Sequence, residues 1–154
     1  MSIYQKAKND LIRYCNYQER CMLEVQYKLN QYSNLTEQEQ NELVATLQAA
    51  NLLNEIRYAS SFVRSHFYTK KWGKIKITHA LKLKEIAEKT IQDALLQISY
   101  EDYYNTLFHL LRKKRNTLAE ERNNLITQKK LMNYALQKGY EIELIKSILY
   151  NNTL

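Results

Sequence analysis

Arg64, Lys70, Lys71, Lys74, Lys76, Lys82 and Lys84 form a run of cations that meets no Asp or Glu between positions 64 and 84. Trp72 lies inside the run, and a denser block, Arg112-Lys113-Lys114-Arg115, follows downstream. Such fields attract phosphate backbones, anionic lipid or acidic protein surfaces, and they raise encounter rates with whichever partner is present. An indole among ammonium groups adds a stacking platform of the kind that holds single-stranded nucleic acid. The plainer reading of any charged run is a solvated helix face. At about 3.6 residues per turn these lysines cannot all share one face, so the cluster narrows to Arg64, Lys70, Lys71 and Lys74 around the Trp72-Gly73 turn, with Trp72 beside them as a further candidate contact. Trp72 has a structural alternative, as a wedge between the second and third helical units. Arg57, close to an expected helix start, either pairs with Glu55 or a neighbouring unit or joins the contact.

Nothing comparable points to catalysis. His66, His79 and His109 are scattered, without an Asp, Glu or Cys partner at metal-ligand spacing, and no glycine-rich phosphate loop is present. Cys15 and Cys21 match no metal or redox spacing and read as reduced, packed thiols. A non-enzymatic protein with no cofactor and no metal is therefore expected. The thirteen tyrosines sit mostly at amphipathic spacing, with rings packed and hydroxyls at the surface. Met1-Ser2-Ile3-Tyr4-Gln5-Lys6 lacks a signal-type apolar core and no window approaches a membrane span, so a cytoplasmic protein without membrane contact is expected.

The elements that must position these residues read as helices. The 154-residue chain has no proline and two glycines, while Leu, Lys, Glu, Gln and Asn fill the runs between breaks, which excludes the turn chemistry of hairpins and predicts an all-α fold. Tyr4, Ala7, Leu11 and Tyr14 mark a first helix, and Met22, Val25 and Leu29 a second after a joint at Tyr17 to Arg20. Thr36 with Glu39 is a capping box, followed by a buried stripe of Leu43, Leu47 and Ala50. Asn54 caps the next helix, whose apolar face is Ile56, Ala59, Val63 and Phe67 and which ends near Thr69 to Trp72, with Gly73 relieving the backbone.

Ile77, Ala80 and Leu81 carry a short basic helix, and Ile91, Ala94, Leu95 and Ile98 a sixth. Ser99 with Asp102 caps a seventh bearing Tyr103, Leu107, Leu110 and Leu111, broken at Asn116-Thr117. Thr117 with Glu120 suggests a second capping box before Leu125, Met132 and Leu136, and Gly139 is a left-handed stop before Tyr140, Leu144, Ile145, Ile148 and Leu149.

A shift of 54 residues lays Lys84 on Lys138, Ile86 on Tyr140, Ile91 on Ile145 and Leu95 on Leu149. The helices thus sort as three tandem three-helix repeats, residues 1–51, 52–98 and 99–154, which bury their faces against neighbours in a curved, elongated array.

At this level the chain resembles the RecX family of small bacterial proteins that regulate the recombinase RecA. Cys21-Met22-Leu23-Glu24-Val25 with Lys28-Leu29 is similar to the first-repeat segment. Leu52-Leu53-Asn54-Glu55-Ile56-Arg57-Tyr58-Ala59 is similar to the family's most telling motif, a leucine, two acidic residues, any residue, then Arg-Phe-Ala. Phe62-Val63-Arg64, Trp72-Gly73, Lys84-Glu85-Ile86 and Gln137-Lys138-Gly139-Tyr140 follow in the family's order. Cys21 replaces a usual serine, Asn54 an acid and Glu85 a glycine. The resemblance implies a molecule that lodges in the groove of the RecA filament on DNA and inhibits it, weakening ATP hydrolysis and strand exchange and modulating filament extension, in DNA repair and the SOS response. It also implies DNA beside RecA as partner and a monomer. The contact residues carried into this expectation are Arg57, Arg64, Lys70, Lys71, Trp72, Lys74, Lys76, Arg112, Lys113, Lys114 and Arg115. Two other readings stay open: a helical DNA-binding protein acting without RecA through one three-helix unit, and an adaptor for an unrelated acidic protein.

Overall fold

The structure, a computed structural model, describes residues 1–151 and Leu154. Among the described residues it is built from helices alone: α1 (Ile3–Tyr17), α2 (Met22–Leu29), α3 (Glu37–Ala49), α4 (Glu55–Arg64) continuing into a π-helical turn (Ser65–Thr69), α5 (Lys74–Leu83), α6 (Glu88–Leu95), α7 (Tyr100–Thr117), α8 (Asn124–Lys138) and α9 (Ile142–Tyr150).

Side-chain caps start several of these helices where the residue types predict. Thr36 Oγ1 accepts from the Glu39 amide at 3.1 Å while Glu39 Oε1 accepts from the Thr36 amide at 3.0 Å. Asn54 Oδ1 accepts from the Arg57 amide at 3.0 Å, and Ser99 Oγ from the Asp102 amide at 3.0 Å. Each such cap contributes about 1 kcal/mol. The second expected box does not form. Helix α7 runs through the basic block to Thr117, whose hydroxyl donates back to the Lys114 carbonyl at 2.6 Å, and α8 is capped instead by Asn123, which accepts from the Leu125 amide at 2.9 Å. A threonine inside the last turn of a helix satisfies its hydroxyl on that helix, which leaves it unable to start the next.

The chain packs as two compact units. The first joins Met1–Ser61 to Leu81–Ala94. Its core contains Ala7, Leu11 and Cys15 of α1, Val25 and Leu29 of α2, Leu43 and Leu47 of α3, and Leu35 and Leu53 between elements. Ala50 caps α3 and is exposed rather than part of that stripe. Cys15 and Cys21 are buried free thiols, and burial raises the pKa of both, so they stay protonated and inert.

The second unit joins Phe62–Ala80 to Leu95–Leu154. Helices α7, α8 and α9 contact one another there, around Leu107, Leu111, Leu131, Ala135, Tyr140, Ile145, Ile148 and Leu149. On α8 the buried face is Thr127, Leu131 and Ala135, leaving Leu125 80% exposed, so the stripe expected from Leu125, Met132 and Leu136 is rotated by about one residue. On α4, Tyr58 takes the core position assigned to Ile56, which is 71% exposed, while Ala59, Val63 and Phe67 are buried as expected.

Both ends of the 54-residue repeat close their helices in one way. Glu85 and Gly139 each take a left-handed conformation, φ 60° and 97°. The Ile86 amide donates to the Leu81 carbonyl and the Tyr140 amide to the Ala135 carbonyl, at 3.1 and 3.2 Å, with the inner bonds running Glu85 to Lys82 and Gly139 to Leu136. This is the Schellman arrangement, which α3 also makes at Asn51 (φ 58°), where the Leu52 amide donates to the Leu47 carbonyl and the Asn51 amide to the Gln48 carbonyl. The strained position near residue 73 is Lys71, with φ 62°, and not Gly73 as expected. A Cβ on Gly73 would strike the Gly139 backbone, so close approach is what requires the absent side chain.

Candidate basic and aromatic interface

Within the second unit, the end of α4 builds the turn that carries Trp72. The π-helical turn widens the last coil, with the Lys70 amide reaching the Ser65 carbonyl at 3.3 Å, and π-helical turns are frequent at functional sites. Lys71 then reverses the chain through its positive φ, and the Trp72 amide donates to the His66 carbonyl at 2.9 Å. That bond folds the indole back along the helix it has just left.

Three rings follow from this reversal. Phe62 and His66, one helical turn apart, stack with centroids 3.6 Å apart, and the Trp72 ring lies 4.6 Å from His66. Burial, with a smaller contribution from the Lys70 ammonium, holds the His66 pKa below its ordinary value against the opposing pull of the Phe62 carbonyl. The imidazole is therefore neutral at pH 7, stacked on Phe62 and packed against the indole at a tilt of 58°. Around Trp72 stand two ammonium groups, Lys76 Nζ at 4.4 Å and Lys70 Nζ at 5.7 Å from the ring centroid. Cation–π attraction of about 0.5–1 kcal/mol each keeps these flexible lysines beside the indole.

A rigid floor lies under α5's first turn. The Lys74 amide donates to the Tyr103 hydroxyl at 2.9 Å, and that hydroxyl donates in turn to the Glu141 carboxylate. Burial, reinforced by Glu141, raises the pKa of Tyr103, so it remains a neutral bridge. The Lys74 ammonium sits 4.7 Å over the same ring, and Tyr140 donates its hydroxyl to the Lys71 carbonyl at 2.9 Å. Backbone and charge of the turn are thus tied to α7 and to the start of α9.

The other residues singled out in the sequence separate into different settings. Arg64 Nη1 donates to Gln97 Oε1 at 3.0 Å. Arg57 belongs to the first unit, where its guanidinium pairs with the Glu19 carboxylate and donates to the Asn51 carbonyl at 2.8 Å. Lys82 and Lys84, left out of the contact set, pair with Glu88 and Glu24 at 3.1 and 3.6 Å. In the downstream block, Arg112, Lys113 and Arg115 are exposed on α7, and the Lys114 ammonium lies 5.3 Å from the Tyr134 ring. Lys113 and Lys71 line one groove of about 450 Å³ together with Tyr68, Asp102, Asn105, Thr106, His109 and Leu110. One residue of each basic block therefore meets on a shared surface.

Sequence reasoning passed over Phe62 and His66 as partners of Trp72. Their spacing of four on one helix was the available signal. Among the described residues, no three His, Cys, Asp or Glu side chains are grouped as metal ligands, and no helix is long and apolar enough to cross a membrane.

Comparison with known proteins bears on the same segments. Residues 54–95 match the second three-helix domain of RecX and residues 101–149 the third. The regulatory protein RecX of Clostridium perfringens strain 13 is 30% identical over 145 residues, spanning 94% of this chain and 67% of that one. That of Clostridioides difficile is 24% identical over 147 residues, spanning 96% and 68%. The crystal structure of RecX from Lactobacillus salivarius superposes with a TM-score of 0.86 over 97% of this chain and 96% of the other, at 26% identity. A further crystal structure of a regulatory protein RecX gives 0.84 over 97% and 72%, at 23% identity, and supports the fold alone.

Proposed function

Because the chain belongs to the RecX family of regulatory proteins, we propose that it regulates the RecA recombinase, mainly as an inhibitor. In this reading it binds in the groove of the RecA filament on DNA and modulates ATP hydrolysis, strand exchange and filament extension during repair and the SOS response. It acts without catalysis of its own, as a cytoplasmic monomer, through the three units 1–51, 52–98 and 99–154.

The observation that carries the site assignment is the Trp72 platform. Two ammonium groups held at 4.4 and 5.7 Å from one indole, on a turn bonded to α7 and α9, form a preorganised cationic surface. Such a surface presents charge to phosphate or acidic groups without first having to order its side chains, which lowers the entropic cost of binding. Arg64, Lys71 and Lys74 extend it, and the block from Arg112 to Arg115 supplies a second basic region on the same unit.

The test is inhibition of RecA ATPase on single-stranded DNA by wild type and by a Lys70→Glu, Lys71→Glu, Lys74→Glu variant whose helicity is verified by circular dichroism. Wild type is expected to inhibit and the variant to lose inhibition. An unchanged variant would refute the site assignment. Absence of inhibition by wild type would refute the RecA reading, and salt-sensitive DNA binding without RecA would then favour a helical DNA-binding protein.

A further inference from the structure

The groove shared by Lys71 and Lys113 has a chemistry of its own. Along α7 the residues at 102, 105, 106, 109, 110 and 113 recur at three- and four-residue intervals and form one stripe about 16 Å long. Lys113, His109 and Asn105 are exposed, and neither Lys113 nor Lys71 makes an ion pair among the described residues. Lys71 Nζ is held near the groove by donating to the Tyr68 carbonyl at 2.8 Å. Towards the other end, the Tyr68 hydroxyl donates to Asp102 Oδ2 at 3.0 Å. Leu110 and the Tyr68 ring add apolar wall, while Asn105 and Thr106 offer both donors and acceptors.

We infer that this groove docks an extended peptide segment of a partner protein that is acidic at one end, with glutamate or aspartate followed by aliphatic and neutral residues. A carboxylate answers Lys113 and Lys71, an aliphatic side chain lies against Leu110 and Tyr68, and main-chain amides and carbonyls meet Asn105 and Thr106. Nucleic acid fits less well. A phosphodiester strand repeats its negative charge at every nucleotide, so continuing along the groove sets a phosphate against the Asp102 carboxylate. A peptide can place a neutral residue there. At about 3.3 Å per residue the stripe spans roughly five extended residues. The inference rests on the groove's own residues and not on the RecA reading.

The experiment uses a fluorescein-labelled peptide of about six residues, two glutamates followed by leucines and serines, read by anisotropy against the whole protein. Its counterparts are a peptide with glutamine for glutamate and an oligothymidylate of similar length. Lys113→Glu reverses the exposed charge, Asn105→Trp fills the groove from an exposed position, and Lys113→Arg keeps the charge. The acidic peptide is expected to bind wild type and Lys113→Arg alike, and about tenfold more weakly to the other two; the glutamine peptide is expected to lose about tenfold on wild type. Absence of acidic-peptide binding, or binding that neither Lys113→Glu nor Asn105→Trp weakens, would overturn the inference. So would oligothymidylate that displaces the peptide and shows the same sensitivity to both variants, since that outcome assigns the groove to nucleic acid. Lys113 also belongs to the second basic region of the RecA reading, but peptide anisotropy is read here without RecA, so failure here leaves that reading to its own ATPase test.

Discussion

Gly73 and Gly139, the only two glycines of the chain, pack backbone against backbone. The Gly73 amide donates to the Lys138 carbonyl at 2.7 Å and the Ile75 amide to the Gly139 carbonyl at 3.0 Å, so the start of α5 is bonded to the end of α8. Neither bond can form if a side chain separates the two strands of backbone.

Gly73→Ala is expected to destabilise the second unit by about 2–3 kcal/mol, since its Cβ would meet the main chain of Gly139 and Tyr140, which cannot yield as a flexible side chain would. Gly139→Ala is expected to cost about 1 kcal/mol more, because it adds a left-handed alanine to the clash with Lys76. Urea unfolding of both variants measures this. A loss below about 0.5 kcal/mol for Gly73→Ala would show that the crossing relaxes freely.

At the other end of the 54-residue repeat the same geometry predicts the opposite sign. Glu85 holds φ 60° at the position that corresponds to Gly139, and its side chain is exposed. Left-handed backbone costs a non-glycine residue about 1–2 kcal/mol, partly offset by the greater unfolded freedom of glycine. Glu85→Gly is therefore expected to stabilise the protein by about 0.5–1 kcal/mol, read as a higher urea midpoint at unchanged slope. No change, or a loss, would contradict the strain argument.

Much of this was legible in residue types. A capping box, an Asn or Ser N-cap and a glycine stop act through local hydrogen bonds, and the pattern of Thr36 with Glu39, Asn54, Ser99 and Gly139 carries them directly. The face of α8 was not legible, because Leu125, Met132 and Leu136 compete at helical spacing with Thr127, Leu131 and Ala135, and only tertiary packing chooses between two such stripes. Of the candidate site, the gathering of lysines around Trp72 was legible. Its organisation was not, since a π-helical turn and a left-handed lysine have no reliable sequence signal, and the meeting of Lys71 with Lys113 depends on packing between segments 42 residues apart.

His66 gives the platform a pH dependence. In the unfolded chain its imidazole titrates near the ordinary value of about 6.5, whereas burial between Phe62 and Trp72 lowers the folded value. Between the two values the unfolded chain binds more protons, so stability rises with pH there; above both it is complete, and it is lost as pH falls through the folded pKa. The neighbouring Lys70 ammonium acts in the same direction by opposing protonation. Urea midpoints taken from about pH 7.5 down to about pH 5 are expected to fall further for wild type than for His66→Gln. Parallel profiles would remove His66 as the source.

Under the proposed function, Arg57 and Trp72 are expected to separate a structural role from a contact role. The Arg57 guanidinium is already occupied by the Glu19 carboxylate and the Asn51 carbonyl, which fastens the α1–α2 joint and the end of α3 to the start of α4 within the first unit. Arg57→Ala should therefore cost about 1 kcal/mol of stability, the value of a partly exposed, hydrogen-bonded ion pair. At equal concentrations of folded protein its inhibition of RecA ATPase should match wild type. Trp72→Ala should behave in the reverse way, losing inhibition, because Lys70 and Lys76 no longer have the indole that holds their ammonium groups together. Loss of inhibition by a fully folded Arg57→Ala protein would move Arg57 into the contact surface, and an unimpaired Trp72→Ala protein would remove the platform from it.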